Sequence, residues 1–219
     1  MKSSLINDAS VSDVPINDGL INDRQTKSEA GNSSGVDFTA DNSQPLKVQI
    51  AASLEVAFSQ LGFAEPSVAQ LKTACNVSLR TLYKHYPSKE AMIVAALEYR
   101  HQRYLSFLTD EAANTGTESV LFIFSQLEKW MQQFAPNGCM SMNAISAFPD
   151  NQDVINAVAS HKLDVRQRLA DASLRPDLAS ALFLLHEGVS TTWPLMGQES
   201  VLSAKQVISI IMESPVCRL

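Results

Sequence analysis

From Leu46 to Met212 the apolar residues recur at three- and four-residue steps, and that single periodicity commits most of the chain to helices. Leu46, Ile50, Leu54, Ala57, Phe58 and Leu61 fall on one face of a first helix. Pro45 suits its first turn and Gly62 its C-terminal cap. Ser67 and Gln70 form a capping-box pattern ahead of a short second helix whose apolar face is Val68, Leu71 and Cys75. Asn76 follows, the side chain most tolerant of a left-handed turn after glycine. Ser78 then caps a third helix in which Leu82 and Tyr86 stand four apart on the buried side. Pro87 ends it, and Ser88 caps a fourth helix expected to run to roughly Ala112 with Met92, Ala95, Ala96, Tyr99 and Leu105 as its stripe.

Helical spacing continues after Gly116 through Val120, Ile123, Phe124, Leu127, Met131 and Phe134, until Pro136-Asn137-Gly138 breaks it. Cys139 to Phe148 is short and apolar. Asp150 is the expected cap of the next helix, which holds Val154, Val158, Leu163 and Leu169. Pro176 opens another that is apolar on most sides (Leu178, Ala181, Leu182, Leu184, Leu185, Val189), and Trp193-Pro194 is expected to end or kink it. Val207, Ile208, Ile210, Ile211 and Met212 belong to a last helix. No segment reads as a strand. With eight glycines and 7% aromatic residues, the composition also leans away from a β-sandwich, so the predicted fold class is all-α.

Charge divides the chain unevenly. Residues 1–45 carry three bases against seven acids, whereas residues 46–89 carry five bases against two acids, a local +3 inside a chain of net charge −6. That is the pattern of a phosphate-binding surface which the global value hides. Residues 1–44, rich in Ser, Asn, Asp and Gly, read as a disordered N-terminal extension, because their isolated apolar pairs cannot offset the entropy of ordering. Three cysteines without metal-ligand spacing fit a reducing cytoplasm. No apolar run approaches the ~18–20 residues that span a bilayer, and the start of the chain lacks a signal-peptide pattern. A cytoplasmic protein without a membrane partner is expected.

Three short helices with a tight Asn76-Val77-Ser78 turn between the second and third make a helix-turn-helix. The run Ser67-Val68-Ala69-Gln70-Leu71-Lys72-Thr73-Ala74-Cys75-Asn76-Val77-Ser78-Leu79-Arg80-Thr81-Leu82-Tyr83-Lys84-His85-Tyr86-Pro87-Ser88-Lys89-Glu90-Ala91-Met92 resembles the DNA-binding domain of tetracycline-repressor-like (TetR/AcrR) regulators. The match is dense from Val77 to Met92 and looser back to about Leu46. It departs from the family at Asn76, where glycine is usual, at Pro66-Ser67, where paired threonines are frequent, and at Cys75, commonly a smaller residue. The resemblance implies an N-terminal three-helix DNA-binding domain, here 45–92, and a C-terminal helical domain for ligand binding and dimerisation, here 93–219. It further implies a ligand-responsive regulator, acting as a repressor, that binds a palindromic double-stranded DNA operator as a homodimer. Thr81 and Tyr83 resemble recognition-helix positions that face phosphates and base edges, Lys84 and His85 lie on or beside the same face, and Lys89 resembles a phosphate-contacting lysine. Lys47, Ser67 and Ser78 are further candidates for the backbone. Arg80 is the best candidate for a base contact, since guanidinium pairs bidentately with guanine, and Leu79 can meet a thymine methyl.

Gly138-Cys139-Met140-Ser141-Met142-Asn143-Ala144 resembles a Gly-Cys segment that in this family opens a helix beside the ligand cavity. The implied cavity is mostly apolar. Its candidate walls are Phe107, Phe124, Trp130, Met131, Phe134, Cys139, Met142, Phe148 and Trp193, which suits a small apolar or aromatic effector. No lysine or arginine adjoins Cys139 in sequence, so it reads as a buried, inert thiol. His186-Glu187 on an apolar helix reads as a polar pair of a cavity or interface. His85, His101, His161 and His186 lack metal-ligand spacing, and no nucleophile–base pair or phosphate loop stands out. No cofactor, metal or catalytic site is therefore expected. The alternative class is a helical adaptor on the same scaffold that does not bind DNA.

Overall fold

Local capping chemistry sets the first elements. The structure is a computed structural model, and its described residues are 45–109 and 115–215. The predicted tail, 1–44, lies outside them. Helix α1 spans Leu46–Leu61, α2 Val68–Ala74, α3 Leu79–His85 and α4 Lys89–Phe107. The Ser67 hydroxyl accepts from the Gln70 amide at 3.3 Å, and the Gln70 side chain accepts from the Ser67 amide at 2.8 Å, closing the capping box. Asn76 takes the left-handed turn at φ 50°. Ser78 and Ser88 accept from the amides of Thr81 and Ala91 at 3.0 and 3.1 Å, satisfying donors that a bare helix start leaves open.

Helices α5 (Thr117–Phe134), α6 (Met140–Ala147), α7 (Gln152–Ser173), α8 (Ala179–Met196) and α9 (Gln198–Glu213) follow, with a 3-10 turn at Pro176–Leu178 before α8. No strand occurs among the described residues. Several boundaries differ from the sequence reading. Helix α4 ends at Phe107 rather than near Ala112. Asn151, not Asp150, caps α7 by accepting from the Val154 amide at 3.0 Å. Leu163 is exposed, because the inner row of α7 runs Val154, Val158, His161, Val165, Leu169 and passes it by. Leu46 and Leu61, at the two ends of α1, are also exposed. Pro194 neither ends nor interrupts α8, which runs on to Met196 and stops at Gly197, φ 53°. The Pro194 ring packs instead against the turn after α5. A Cβ on Gly138, itself at φ 93°, would lie 3.4 Å from Pro194 Cγ and 3.5 Å from the Ser190 carbonyl oxygen, so only glycine fits there without strain.

Burial gathers into two apolar clusters. One joins Ile50, Leu54, Phe58, Leu71, Leu82, Met92 and Leu97 of the first four helices to Met140 and Ala144 of α6 and Val154 and Val158 of α7. The other is built by Leu108, Val120, Phe124, Leu127 and Trp130 with Leu169, Leu182, Val189, Val201 and Ile208. The expected boundary at 92–93 falls inside the unbroken α4, which contributes to both. Between the clusters runs a buried ionic bridge. The Glu55 carboxylate of α1, 3% exposed, accepts from Arg100 and Arg103 of α4. Arg100 also donates to the Phe134 carbonyl at the end of α5, at 2.8 Å, and lies over the Trp130 ring.

Candidate nucleic-acid interface and regulatory cavity

Helix α3 has an inner and an outer side. Leu82 and Tyr86 face the core, while Leu79, Arg80, Tyr83 and Lys84 are exposed and Thr81 and His85 are half-buried beside them. Tyr86 does more than pack. Its hydroxyl donates to the Lys47 carbonyl at 2.8 Å, and the Lys47 ammonium lies 5.7 Å from its ring centroid, so the start of α1 is tied to the end of α3. The Ser67 amide and hydroxyl are engaged by Gln70, and the Ser78 hydroxyl by Thr81. Lys89 places one N–H on the Ala64 carbonyl at 2.9 Å, anchoring the loop after α1. An ammonium has three donors, so the head keeps others toward solvent.

A cavity of about 70 Å³ opens between α4, α5, α6, α7 and α8. Of the wall residues expected from sequence, Trp130, Met131 and Cys139 line it. Phe107 and Phe134 stand behind, with ring centroids 5.6 and 4.8 Å from that of Trp130. Phe124 and Trp193 belong to the second apolar cluster, Phe148 packs against the first, and Met142 is exposed. None of these four lines the cavity, because large apolar side chains serve a core as readily as a wall.

Polar groups that the sequence reading did not place share the cavity: Arg100, His101, Tyr104, His161 and Lys162 line it, together with His186, which was read as part of a cavity or interface pair. Their signal was present: His161 and His186 fall on the buried rows of α7 and α8. The Tyr104 hydroxyl is hydrogen-bonded to His186 Nε2, and His186 Nδ1 is 3.0 Å from Glu187 Oε1. The other Glu187 oxygen accepts from Lys162 Nζ at 2.6 Å. Burial works to raise the Glu187 pKa, but His186 and Lys162 hold it down at about 2. Burial works against the Lys162 ammonium, yet Cys139 and Glu187 more than offset it and keep its pKa above the ordinary value. His161 is pushed down to about 4 by burial and by His101, whose ring stacks on it at 4.1 Å. The cavity is thus apolar on one side and rich in nitrogen bases on the other, more polar than the sequence suggested.

Capped helices, a left-handed turn between them and an exposed basic face on the third helix have the form of a helix-turn-helix. Residues 50–96 match the family model of the bacterial regulatory proteins of the tetR family. Over those residues the chain is similar to that family. Solved structures show the same architecture beyond the head. A TetR-family transcriptional regulator from Streptomyces coelicolor, SCO4454, aligns with a TM-score of 0.65 at 17% identity, covering 76% of this chain and 91% of that one. A family member from Streptomyces avermitilis aligns at 0.63 and 18% identity, covering 78% and 100%. A TetR transcriptional regulator from Legionella pneumophila gives 0.62 and 20%, covering 78% and 98%. At these identities the likeness speaks for the fold. No match to a curated protein was found. Among the described residues no helix is long and apolar enough to cross a membrane.

Proposed function

We propose that this chain is a cytoplasmic, ligand-responsive repressor that binds a palindromic operator as a homodimer. Residues 45–92 form the DNA-binding head and 93–219 the regulatory and dimerisation domain. The observation that carries the reading is the outer face of α3, where Leu79, Arg80, Tyr83 and Lys84 are exposed together at the end of a rigidly capped turn. Arg80 and Leu79 read base edges. Thr81, Tyr83, Lys84, His85 and Lys89, with Lys47, Ser67 and Ser78, hold the phosphates.

The cavity takes a small effector whose apolar body lies against Trp130 and Met131. Occupancy acts on DNA binding only through different affinity for the two arrangements of the heads. Helix α4 reaches from the head to the cavity through Arg100 and Tyr104, so a ligand there has a direct mechanical route.

The test separates readout from grip. Arg80→Ala is expected to relax base preference at one operator position by about 1–3 kcal/mol. Lys84→Ala with Lys89→Ala is expected to weaken all sequences alike and flatten the salt dependence. Competition binding with single-base operator variants, across a salt series, reads both. Unchanged affinity and unchanged preference in every variant would leave the adaptor class standing instead.

A further inference from the structure

Cys139 stands at the N-cap of α6 but makes no cap with its side chain. It is half-buried in the cavity wall. The fold supplies the neighbour that the sequence did not show: Lys162 of α7 donates to Cys139 Sγ at 3.4 Å. Glu187 of α8 accepts from the same ammonium and so fixes its position. Leu127, Trp130 and Met131 provide apolar wall. A second observation points to a ligand in this space. His161, also in the wall, is 7% exposed, and its Nε2 lies 4.0 Å from Glu98, while its Nδ1 is buried without a hydrogen-bond partner among the described residues. A buried polar atom left unpaired is costly, and a polar ligand atom would satisfy it.

We propose that the cavity senses small soft electrophiles, molecules with an alkene conjugated to a carbonyl, which become covalently bonded to Cys139. This rests on the reading that the cavity is the effector site. Sγ adds to the β-carbon of the enone. A C–S bond forms while the alkene electron pair shifts toward the carbonyl oxygen, giving an enolate. The Lys162 ammonium donates a hydrogen bond to that oxygen, and the proton lost by the thiol ends on the α-carbon. The net change is addition of S–H across the double bond, so nothing is oxidised and no other reagent is consumed.

Size and location both favour the chemistry. A space of about 70 Å³ admits a small enone and little more. The other described thiol, Cys75, is shut in the core and pushed up to about 11 by burial. The adduct also has a path to the head. Met140 and Ala144, next along α6, pack in the same cluster as Leu54, Phe58 and Leu82. New atoms on the preceding residue must displace a helix held in a close-packed core.

The full chain, treated with methyl vinyl ketone and mapped by peptide mass spectrometry, tests the proposal. The expected result is an adduct at Cys139 with Cys75 unlabelled. Labelling of native Cys139 is expected to be about tenfold faster than in the urea-unfolded chain, and about tenfold slower in Lys162→Gln. Operator affinity should fall on treatment of the wild type, and treatment should leave Cys139→Ser at its untreated affinity. The proposal is overturned if native Cys139 labels no faster than the unfolded chain, or if Lys162→Gln labels at the wild-type rate. An adduct that leaves DNA binding unchanged overturns the sensor role. The native-to-unfolded comparison needs only the wild type, so it decides the chemistry even if the glutamine variant does not fold. If untreated protein binds no DNA, the repressor reading fails, while the labelling map still decides the chemistry.

Discussion

Glu55→Ala is expected to cost about 3–5 kcal/mol of folding stability, the range for removing one partner of a buried ion pair. Two guanidiniums share this carboxylate, and both Glu55 and Arg100 are more than nine-tenths buried. Without it, Arg100 keeps the Phe134 carbonyl and the Trp130 ring, but its charge has no counterion in the core. Arg100→Met should cost less, since Glu55 retains Arg103. Urea unfolding, with midpoints and slopes compared between variants, gives the numbers. A loss under about 1 kcal/mol for Glu55→Ala would place the pair in water, with the low worth of surface ion pairs. Because Glu55 is on α1 and the arginines on α4, the same variant should also loosen the head from the regulatory helices and blunt the response of DNA binding to any effector.

The double variant Leu184→Glu, Ile210→Glu is expected to convert the proposed homodimer into a monomer of 23.9 kDa and to lower operator affinity by on the order of 100-fold, since two linked half-site contacts would become one. Helices α8 and α9 pack on one another and still leave large apolar side chains in the open: Leu184 is 69% exposed, Leu195 89% and Ile210 70%. Leu202 and Val207 are exposed with them. Exposed apolar side chains gathered on two packed helices suit an interaction face, and two copies related by a two-fold axis would cover them in a four-helix interface. Leu182, in the same helix, is a poor probe, because it is buried in its own protomer's core and a glutamate there would unfold the chain. Sedimentation at micromolar concentration reads the mass. A variant that stays dimeric would put the interface elsewhere, and a wild type that is monomeric yet binds DNA would remove the dimer altogether.

Capping and turn chemistry was legible in the sequence because it is local. Ser67 with Gln70, Asn76, Ser78 and Ser88 each act within four residues, and each forms as read. Asp150 and Asn151 show the limit of that reading: both can cap, and only the path of the backbone selects the second. The sequence showed α8 apolar on more than one face without saying which face the chain's own core uses, so Leu182, which is buried, and Leu184, which is exposed, looked alike. Pairings across the fold were hidden. Glu55 and Arg100 are 45 residues apart, and Cys139 and Lys162 are 23 apart. Glu55 did leave a trace, as a charged residue beside Leu54 and Phe58 on an otherwise apolar face. The cavity was the least legible part. A large apolar side chain is equally at home in a core, as Phe124 and Trp193 are, and the polar wall is assembled from single residues on separate helices.

The most direct measurement is the affinity of the purified full chain for the DNA upstream of its own gene, by fluorescence anisotropy over a salt series with a footprint on the same fragment. A DNA-binding regulator of this architecture should bind that fragment at least about a thousandfold more tightly than unrelated DNA. It should also protect one palindromic segment and lose affinity steeply as salt rises. Equal affinity for unrelated DNA, or no binding at low salt, would contradict it.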